Sequence, residues 1–278
     1  MIAFIRKIFM RTCPAPLVKP VLSVVYAVRL VWNRTAMILF PGKMRSYCPC
    51  CGMRFRAFDR GGFQDNPGGV DTSRYKPDSQ QVLCPVCRSL PRHRIQAIWF
   101  RDHKECMHAA DILYFSPGKC EKLWMKRNKV SCVTADLYKK DVDLTLDIQK
   151  TNLPDDSYDV IVCNHVLEHV DDFRVALKEM YRILRPGGSF ICSFPMDPNV
   201  ELLDEDPSVQ SREERIRRFG QSDHKRVFGM KADRFLTEAG FEVERIDGKD
   251  FPEEILPVVG PADYDMNLLF RCVKNETK

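Results

Sequence analysis

Residues 158–173 read Tyr158-Asp-Val-Ile-Val-Cys-Asn-His-Val-Leu-Glu-His-Val-Asp-Asp-Phe173, and residues 185–195 read Arg185-Pro-Gly-Gly-Ser-Phe-Ile-Cys-Ser-Phe-Pro195. Residues 160–162 are a short apolar run with β-branched side chains, which is typical of a strand buried on both faces of a parallel sheet. After this strand, apolar residues recur at three- and four-residue steps and predict one face of a helix. They are Leu167, Val170, Phe173, Leu177, Met180 and Leu184.

This helix is predicted to end at Pro186-Gly-Gly188, with Arg182 and Arg185 in the last turn, where the helix dipole favours cations. Residues 189–194 then predict a second strand. A strand, a helix and a parallel strand form a right-handed βαβ unit, and ligands of such sheets bind beyond the carboxyl ends of the strands. Four polar residues after the first strand are therefore expected at the mouth of a site: Asn164, His165, Glu168 and His169.

The two segments resemble the fourth and fifth strands of class I S-adenosylmethionine-dependent methyltransferases, and the resemblance extends over roughly residues 108–274. It implies an α/β fold with a Rossmann-like, seven-stranded sheet whose last strand is reversed. It also implies S-adenosylmethionine as cofactor and methyl transfer as reaction. The alternative is a generic βαβ unit of another Rossmann-like enzyme.

The length and the amino-acid composition agree with a globular protein that has one full core and a smaller module. The chain has 278 residues, of which 44% are hydrophobic and 29% are charged. Its 12 cysteines are spread through a large chain, and several fall inside predicted strands, where a free cysteine packs as a small hydrophobe. We therefore expect a reducing compartment and a cytoplasmic protein.

Residues 1–47 form a basic, amphipathic N-terminal segment without a single acidic residue, although the net charge of the chain is only +5. The longest uncharged run after Lys19 is Pro20–Val28, well short of the roughly 20 residues that a spanning helix needs. A basic helix with tryptophan and leucine suits a membrane interface. We expect either such a peripheral membrane contact or a helix that packs on the protein's own surface.

Two cysteine knuckles follow, Cys48-Pro-Cys-Cys51 and Cys84-Pro-Val-Cys87. Each knuckle offers two thiolates from one turn, so together they predict a structural zinc site in a ribbon module over residues 48–107. Cys50 is an extra thiol that could replace Cys51, and a redox pair or simply buried cysteines are the alternatives. The predicted ligands are Cys48, Cys51, Cys84 and Cys87.

A basic cluster, which comprises Arg88, Arg92, His93 and Arg94, follows the second knuckle and leads into a helix predicted over residues 91–101. Such a cluster beside a zinc ribbon could contact nucleic acid, hold a phosphate or cap the helix. No aromatic stacking platform accompanies it, so we do not expect a nucleic-acid partner. The second knuckle and this cluster also resemble the ribbon fused ahead of one bacterial methyltransferase sub-family.

The methyltransferase domain is expected over residues 108–278. Asp136 ends its second predicted strand, where a carboxylate can accept hydrogen bonds from both ribose hydroxyls, or else cap a turn. The loop after the first strand has a single glycine, Gly118, which stands where the resembled sub-family carries an acid. The resemblance places Asp147 near the adenine. The expected cofactor contacts are Phe115, Ser116, Pro117, Gly118, Asp136, Asp147, Asn164 and His165.

An insertion at residues 196–229 follows the fifth strand and is predicted to form a cap that reads the substrate. Its end, Phe219-Gly-Gln-Ser-Asp-His-Lys-Arg-Val-Phe-Gly229, also resembles the same sub-family. The alternative is a polar surface loop in which Asp223 and Arg226 pair with each other. The expected substrate contacts are Gln221, Asp223, His224 and Arg226.

Methyl transfer from a sulfonium needs mainly alignment and exclusion of water, because the leaving group is already positively charged. A hydroxyl acceptor also benefits from a general base, for which His224 is the first candidate and His165 the second. The family context suggests a sugar or surface-glycan precursor as the acceptor, with a protein or nucleic acid as the alternative. The alternative function is a non-catalytic, zinc-containing binding protein on a degenerate methyltransferase fold.

Overall fold

The computed structural model describes residues 46–60, 81–108, 110–251 and 268–275, together with separate positions between 24 and 42. The predicted N-terminal segment, the turn-rich stretch between the knuckles and most of the loop before the last strand lie outside the described residues. Within the described residues, no helix is both long enough and apolar enough to cross a membrane.

The described chain contains both strands and helices. In order they are β1 (Ser46–Cys48), β2 (Met53–Phe55), β3 (Asp59–Arg60), β4 (Gln81–Leu83), α1 (Pro91–Asp102), α2 (Lys104–His108), β5 (Ile112–Phe115), α3 (Lys119–Asn128), β6 (Val133–Asp136), β7 (Leu144–Thr145), β8 (Tyr158–Asn164), α4 (Phe173–Ile183), β9 (Leu184–Ser193), β10 (Leu203–Glu205), α5 (Arg212–Phe219), β11 (Arg226–Phe228), α6 (Asp233–Glu238), β12 (Glu242–Asp247) and β13 (Leu268–Val273).

A seven-stranded sheet forms the centre of the molecule, in the order β12-β13-β9-β8-β5-β6-β7. β13 runs antiparallel to both of its neighbours, whereas the pairs from β9 to β7 are parallel. The predicted seven-stranded α/β sheet with a reversed last strand is therefore confirmed. Residues 160–162 of β8 are buried, as expected for a central strand covered on both faces.

Two hydrophobic cores lie on the two faces of this sheet. One contains Phe173 and Leu177 of α4 with Phe190 of β9. The other joins Phe55 of the cysteine module, which is the described part of residues 46–90, to α1, to α3 and to Val162 of β8. The cysteine module thus packs directly into the core of the sheet, and the two parts share one hydrophobic cluster.

The helix after β8 begins later than the apolar periodicity predicted. Residues 165–172 form turns, and α4 starts at Phe173, where the Asp172 carboxylate caps the helix by accepting hydrogen bonds from the amides of Arg174 and Val175 at 2.9 and 3.3 Å. The prediction failed at Leu167 and Val170, because tertiary contacts hold their carbonyls outside the helical pattern.

The end of α4 also differs from the prediction. The helix stops at Ile183, and Pro186-Gly-Gly188 lies inside the long strand β9, which has a register irregularity opposite Tyr158 and Val160. Arg182 does lie in the last helical turn. Arg185 lies in β9 and not in the helix. Its guanidinium pairs with Asp111 and Asp159 at 2.9 and 2.8 Å.

Candidate functional site

The four predicted zinc ligands converge at the top of the cysteine module. The Sγ atoms of Cys48, Cys51, Cys84 and Cys87 all lie within 4.8 Å of one another, with 3.7 Å between Cys48 and Cys87 and 3.8 Å between Cys51 and Cys84. A tetrahedral zinc with bonds of about 2.3 Å sets its sulfur ligands about 3.8 Å apart. The donor set and its spacing therefore fit a zinc ion.

The extra thiol, Cys50, is not part of this cluster. It is buried, and its Sγ donates a hydrogen bond to the carbonyl of His93 at 3.3 Å. Cys51 occupies the ligand position, as the two-residue gap from Cys48 predicts. Backbone amides of Val86 and Cys87 donate to the Cys84 sulfur at 3.4 and 3.5 Å.

The basic cluster holds the cysteine module together. Arg94 is fully buried, donates to the carbonyls of Val82 and Ser89 at 2.8 and 2.9 Å, and stacks over the ring of Phe58 at 4.2 Å. Other members make local contacts: Arg88 pairs with Asp59, and the His93 ring accepts the Leu90 amide at the start of α1. Helix capping, one of the three predicted roles, applies to His93.

Asp136 and Ser116 meet at the carboxyl ends of β6 and β5. The Oδ1 atom of Asp136 accepts the amides of Tyr138 and Lys139, both at 2.8 Å. Burial raises the pKa of Asp136, but these donors and the Lys139 ammonium outweigh it and leave the pKa below its ordinary value. Lys139 also donates to Ser116 Oγ at 2.7 Å, so it links the two strand ends.

Glu121 is a residue that the sequence reasoning missed. Its carboxylate is buried beside the loop after β5, where Oε2 accepts the amide of Gly118 and Oε1 accepts the hydroxyl of Tyr114, both at 2.6 Å. A Cβ atom added at Gly118 would lie 2.8 Å from Oε2. The carboxylate therefore fills the space beside Gly118. Its signal was an acid three residues after a helix N-cap, which is the capping-box spacing.

Asn164 belongs to a buried polar chain that links α1 to the sheet. Its amide nitrogen donates to Gln96 Oε1 at 2.6 Å, and its carbonyl oxygen accepts the Ser193 hydroxyl at 2.8 Å. Gln96 in turn donates to the hydroxyl of Tyr114 at 2.7 Å. A small pocket adjoins this chain, with Gln96, Tyr114 and Glu121 among its lining residues.

The remaining predicted cofactor residues lie on the same edge of the sheet. Phe115 and Pro117 are buried, and Asp147 is half-buried. The Oδ1 atom of Asp147 accepts the amide of Gln149 at 2.9 Å. The loop after β5 is tightly bent, since Ser116 has a φ of 53°.

Arg226, on the cap strand β11, is only 2% exposed. Its guanidinium donates to the carbonyls of Leu167, Val170 and Asp171 at 2.7–2.8 Å and pairs with Glu205. These acceptors enclose the group, so the structure assigns Arg226 to joining the cap to the loop after β8. The sequence predicted that Arg226 contacts the substrate or else pairs with Asp223. The structure instead places its guanidinium against the three carbonyls and Glu205.

The structure brings the two candidate bases, His165 and His224, close to Glu168. His165 Nδ1 lies 3.2 Å and His169 Nε2 lies 3.9 Å from Glu168 Oε1, and the ring of His224 meets that of His169 edge-on at 4.9 Å. We name Glu168, His169 and His224 the Glu-His-His cluster. It joins the loop after β8 to the cap.

Burial controls the ionisation of this region. It lowers the pKa of His165 to about 4 and also lowers that of His224, so both rings are neutral near pH 7. Burial alone would raise the pKa of Glu168, but the contact with His165 and the nearby imidazoles outweigh it and lower the pKa to about 2. Glu168 is therefore a carboxylate at neutral pH, and the neutral rings can accept a proton.

The other two predicted substrate residues, Gln221 and Asp223, lie in the cap segment between α5 and β11. Gln221 is half-buried. Asp223 is largely exposed, and both its carbonyl oxygen and its Oδ2 approach His169 Nδ1, at 3.3 and 3.4 Å. The cap therefore brings Asp223 as well as His224 against the loop after β8.

Residues 116–192 match the family model described as a methyltransferase domain. The matched region runs from the loop after β5 to the end of β9. It includes Asp136, Asp147 and the Asn164–His169 stretch. The resemblance to methyltransferases is confirmed for this part of the chain.

Similar curated proteins match over a short region. The demethylmenaquinone methyltransferase of Listeria welshimeri is 40% identical over 47 residues, which are 17% of this chain and 20% of that protein. The enzyme of the same name from Staphylococcus haemolyticus is 41% identical over 54 residues, 19% of this chain and 23% of that protein. The chain thus spans about one fifth of the length of the curated relatives that it matches.

Solved structures resemble this chain over a larger share. An S-adenosylmethionine-dependent methyltransferase from Mesorhizobium loti is 18% identical with a TM-score of 0.45, covering 64% of this chain and 96% of that one. The 1,6-didemethyltoxoflavin-N1-methyltransferase of Burkholderia thailandensis, solved with 1,6-didemethyltoxoflavin and S-adenosylhomocysteine, is 14% identical with a TM-score of 0.44. It covers 67% of this chain and 79% of the other.

Proposed function

We propose that this protein is an S-adenosylmethionine-dependent methyltransferase. The observation that carries the proposal is the match of residues 116–192 to the methyltransferase domain. It agrees with the geometry, because the Ser116–Gly118 loop, Asp136, Asp147 and Asn164 all lie at the carboxyl-end edge of the parallel strands. That edge is where open α/β sheets bind their ligands.

The residues at this edge suit the three parts of the cofactor. Asp136 is ionised and would accept a ribose hydroxyl through Oδ2, because its Oδ1 is already bound by backbone amides. Glu121 would hold the ammonium of the methionine part. It would thereby replace the acid that is missing at position 118. Asp147 would lie beside the adenine, as the family resemblance implies.

The reaction then needs an acceptor atom in line with the methyl carbon. The acceptor's lone pair forms the new bond to carbon, and the carbon–sulfur electrons return to sulfur, which leaves as the neutral thioether S-adenosylhomocysteine. His224 and His165 are neutral at pH 7 and would take a proton from a hydroxyl acceptor. Gln221 and Asp223 remain our candidates for contacts to the acceptor.

We also propose a structural zinc ion at the four cysteines. Such an ion bound by four thiolates has no open position for substrate, so its contribution would be to fold the module and hold α1 against the sheet. Gln96 of α1 contacts Asn164, and the zinc module therefore supports the cofactor edge without entering the chemistry.

The curated relatives are named for demethylmenaquinone, a small molecule. This supports a small-molecule acceptor more than the predicted sugar or glycan, for which the comparisons offer nothing. The N-terminal segment adds a second argument, since the described positions Val24, Val28 and Trp32 are helical and more than 60% exposed. Apolar side chains on a basic segment would bring the protein to a membrane where such acceptors reside.

The activity is tested with radiolabelled S-adenosylmethionine and separated fractions of a lipid and small-molecule extract. We expect label in one fraction with the wild-type protein and none with Asp136→Ala. Asp141→Ala, which removes an exposed carboxylate that pairs with Lys122 in the loop after β6, should transfer label normally. Equal labelling by the wild-type and Asp136→Ala proteins would contradict the assigned pocket.

The membrane contact is tested separately by co-sedimentation with anionic vesicles. We expect the full chain to sediment with the vesicles and a chain without residues 1–40 to stay in solution. Equal sedimentation of the two proteins would contradict a membrane contact through residues 1–47.

A further inference from the structure

We propose that the Glu-His-His cluster is a binding site for a divalent first-row transition-metal ion, separate from the zinc at the four cysteines. One ligand atom from each of Glu168, His169 and His224 lies within 4.8 Å of the other two. Two residues come from the loop after β8 and the third comes from the cap.

The first argument is the state of the carboxylate. Glu168 is completely buried, and within the described residues neither of its oxygens has a hydrogen-bond partner. His165 Nδ1 approaches Oε1 to 3.2 Å, but without the alignment of a hydrogen bond. A buried carboxylate whose oxygens accept no hydrogen bond can bind a cation without first losing a donor.

The second argument is the orientation of the two imidazoles. His224 Nδ1 lies 2.9 Å from the carbonyl oxygen of Phe219, and His169 Nδ1 lies 3.3 Å from that of Asp223. A carbonyl oxygen can only accept, so each Nδ1 carries the proton and each Nε2 presents a lone pair. This is the arrangement in which proteins hold metal-binding histidines, with the second ring nitrogen fixed by an acceptor.

The third argument is the position of these lone pairs. His224 Nε2 is buried and, among the described residues, has no hydrogen-bond partner. His169 Nε2 faces Glu168 Oε1 at 3.9 Å. Ligands of a tetrahedral ion with bonds of about 2.1 Å are about 3.4 Å apart, so a small side-chain rotation would close the site.

The donor set indicates the class of metal. Two imidazoles and one carboxylate suit zinc, iron, cobalt or manganese better than magnesium or calcium, which prefer oxygen ligands alone. Three protein ligands leave coordination positions open, in contrast to the four-cysteine site. If the proposed methyl transfer is correct, an oxygen atom of the acceptor would be the natural ligand there, and His165 would serve as the base, because a metal on Nε2 of His224 occupies its only lone pair; this last step rests on the proposed function.

The test is a titration of Co²⁺ into the full-length protein loaded with one equivalent of zinc, which the four cysteines bind first, without S-adenosylmethionine and followed by visible absorption. We expect one equivalent of Co²⁺ to bind, with the weak ligand-field bands of nitrogen and oxygen ligands and no intense thiolate charge-transfer band. Because no cofactor is present, the result does not depend on whether the methyltransferase proposal holds.

Variants assign the site to the cluster. Glu168→Gln should weaken Co²⁺ binding at least about tenfold, because the site loses its carboxylate. His169→Ala should do the same, and its side chain is one-third exposed, so this variant is expected to fold even if the buried one does not. His108→Gln removes an exposed histidine of α2 and should bind as the wild type does.

The proposal is wrong if the wild-type protein gives no cobalt bands at millimolar Co²⁺. It is also wrong if only thiolate bands appear, since the ion would then occupy the cysteine site. Unchanged binding by a folded His169→Ala protein would overturn it as well.

Discussion

The carboxylate of Glu121 accepts a hydrogen bond from the amide of Gly118, with 2.6 Å between Oε2 and the nitrogen. This contact places a negative charge beside the loop after β5, although position 118 itself carries no side chain. We propose that Glu121, in the first turn of α3, replaces the acid that the resembled sub-family carries at position 118. The second oxygen of Glu121 is held by Tyr114, so the carboxylate has one fixed orientation.

Replacing Glu121 by Gln should weaken the binding of S-adenosylhomocysteine about 10- to 100-fold, because a charged hydrogen bond to the ligand's ammonium contributes roughly 1.5–3 kcal/mol. Calorimetric titration measures the effect. Glu238→Gln, on the exposed face of α6, is the matched control and should bind normally. An analogue without the amino group should bind the wild type and Glu121→Gln equally; a retained tenfold difference would show that Glu121 acts through loop structure alone.

Arg226→Lys should lower the free energy of unfolding by about 2–4 kcal/mol, because lysine cannot reach three carbonyls at once and leaves buried acceptors without donors. Urea unfolding measures this, and chymotrypsin should cleave the cap (residues 196–229) faster in the variant. Arg234→Lys, at an exposed salt bridge of α6, should change stability by less than about 0.5 kcal/mol. Equal stabilities of the two variants would contradict the joining role of Arg226.

If the four cysteines hold the proposed zinc ion, Cys84→Ser should destabilise the whole protein, because the cysteine module and the sheet share a hydrophobic cluster. We expect one cooperative thermal transition at a clearly lower temperature, since structural zinc contributes of the order of 10 kcal/mol to folding. Cys50→Ser keeps the four ligands and should retain zinc. A normal transition for the sheet in zinc-free protein would show that the module folds independently.

Glu179 predicts a pH dependence of stability. Its hydrogen bonds to Arg182 and Thr151 lower its pKa to about 2, from an ordinary value of 4.5. The folded state thus binds this proton less readily than the unfolded chain, so the stabilisation is complete above pH 4.5 and is lost as pH falls towards 2.

The measurement is urea unfolding at pH 7 and pH 3. Glu179→Gln should be about 1–2 kcal/mol less stable than the wild type at pH 7, and the difference should shrink at pH 3. Glu213→Gln, at an exposed position of α5, should show no such change. A constant difference at the two pH values would refute the assignment to Glu179.

Local sequence patterns predicted the sheet well. The apolar run of β8 and the alternation of strands with helical stripes are strong signals, because each element must bury its own apolar face. The cysteine cluster was predictable for a similar reason: the two-residue gap in each knuckle fixes which thiols can converge, and it selected Cys51 over Cys50.

The loop after β8 was not predictable from its own residues. The periodicity of Leu167 and Val170 continues that of α4, yet Arg226, 59 residues after Leu167, takes the carbonyl groups and holds the segment in turns. The same contact brings His224 opposite Glu168. The burial of Arg94 was also not predictable. The sequence placed it in a basic cluster, because a buried arginine cannot be told from an exposed one by sequence alone.

The most direct test of the central claim is calorimetric titration of S-adenosylhomocysteine into the zinc-loaded protein, since it needs no knowledge of the acceptor. We expect one site with a dissociation constant on the order of micromolar, weakened at least about tenfold in Asp136→Ala and unchanged in Asp141→Ala. If the folded wild-type protein gives no binding heat at several temperatures with either S-adenosylhomocysteine or S-adenosylmethionine, the edge of the sheet holds no such cofactor. The chain would then be a zinc-containing binding protein on a methyltransferase fold.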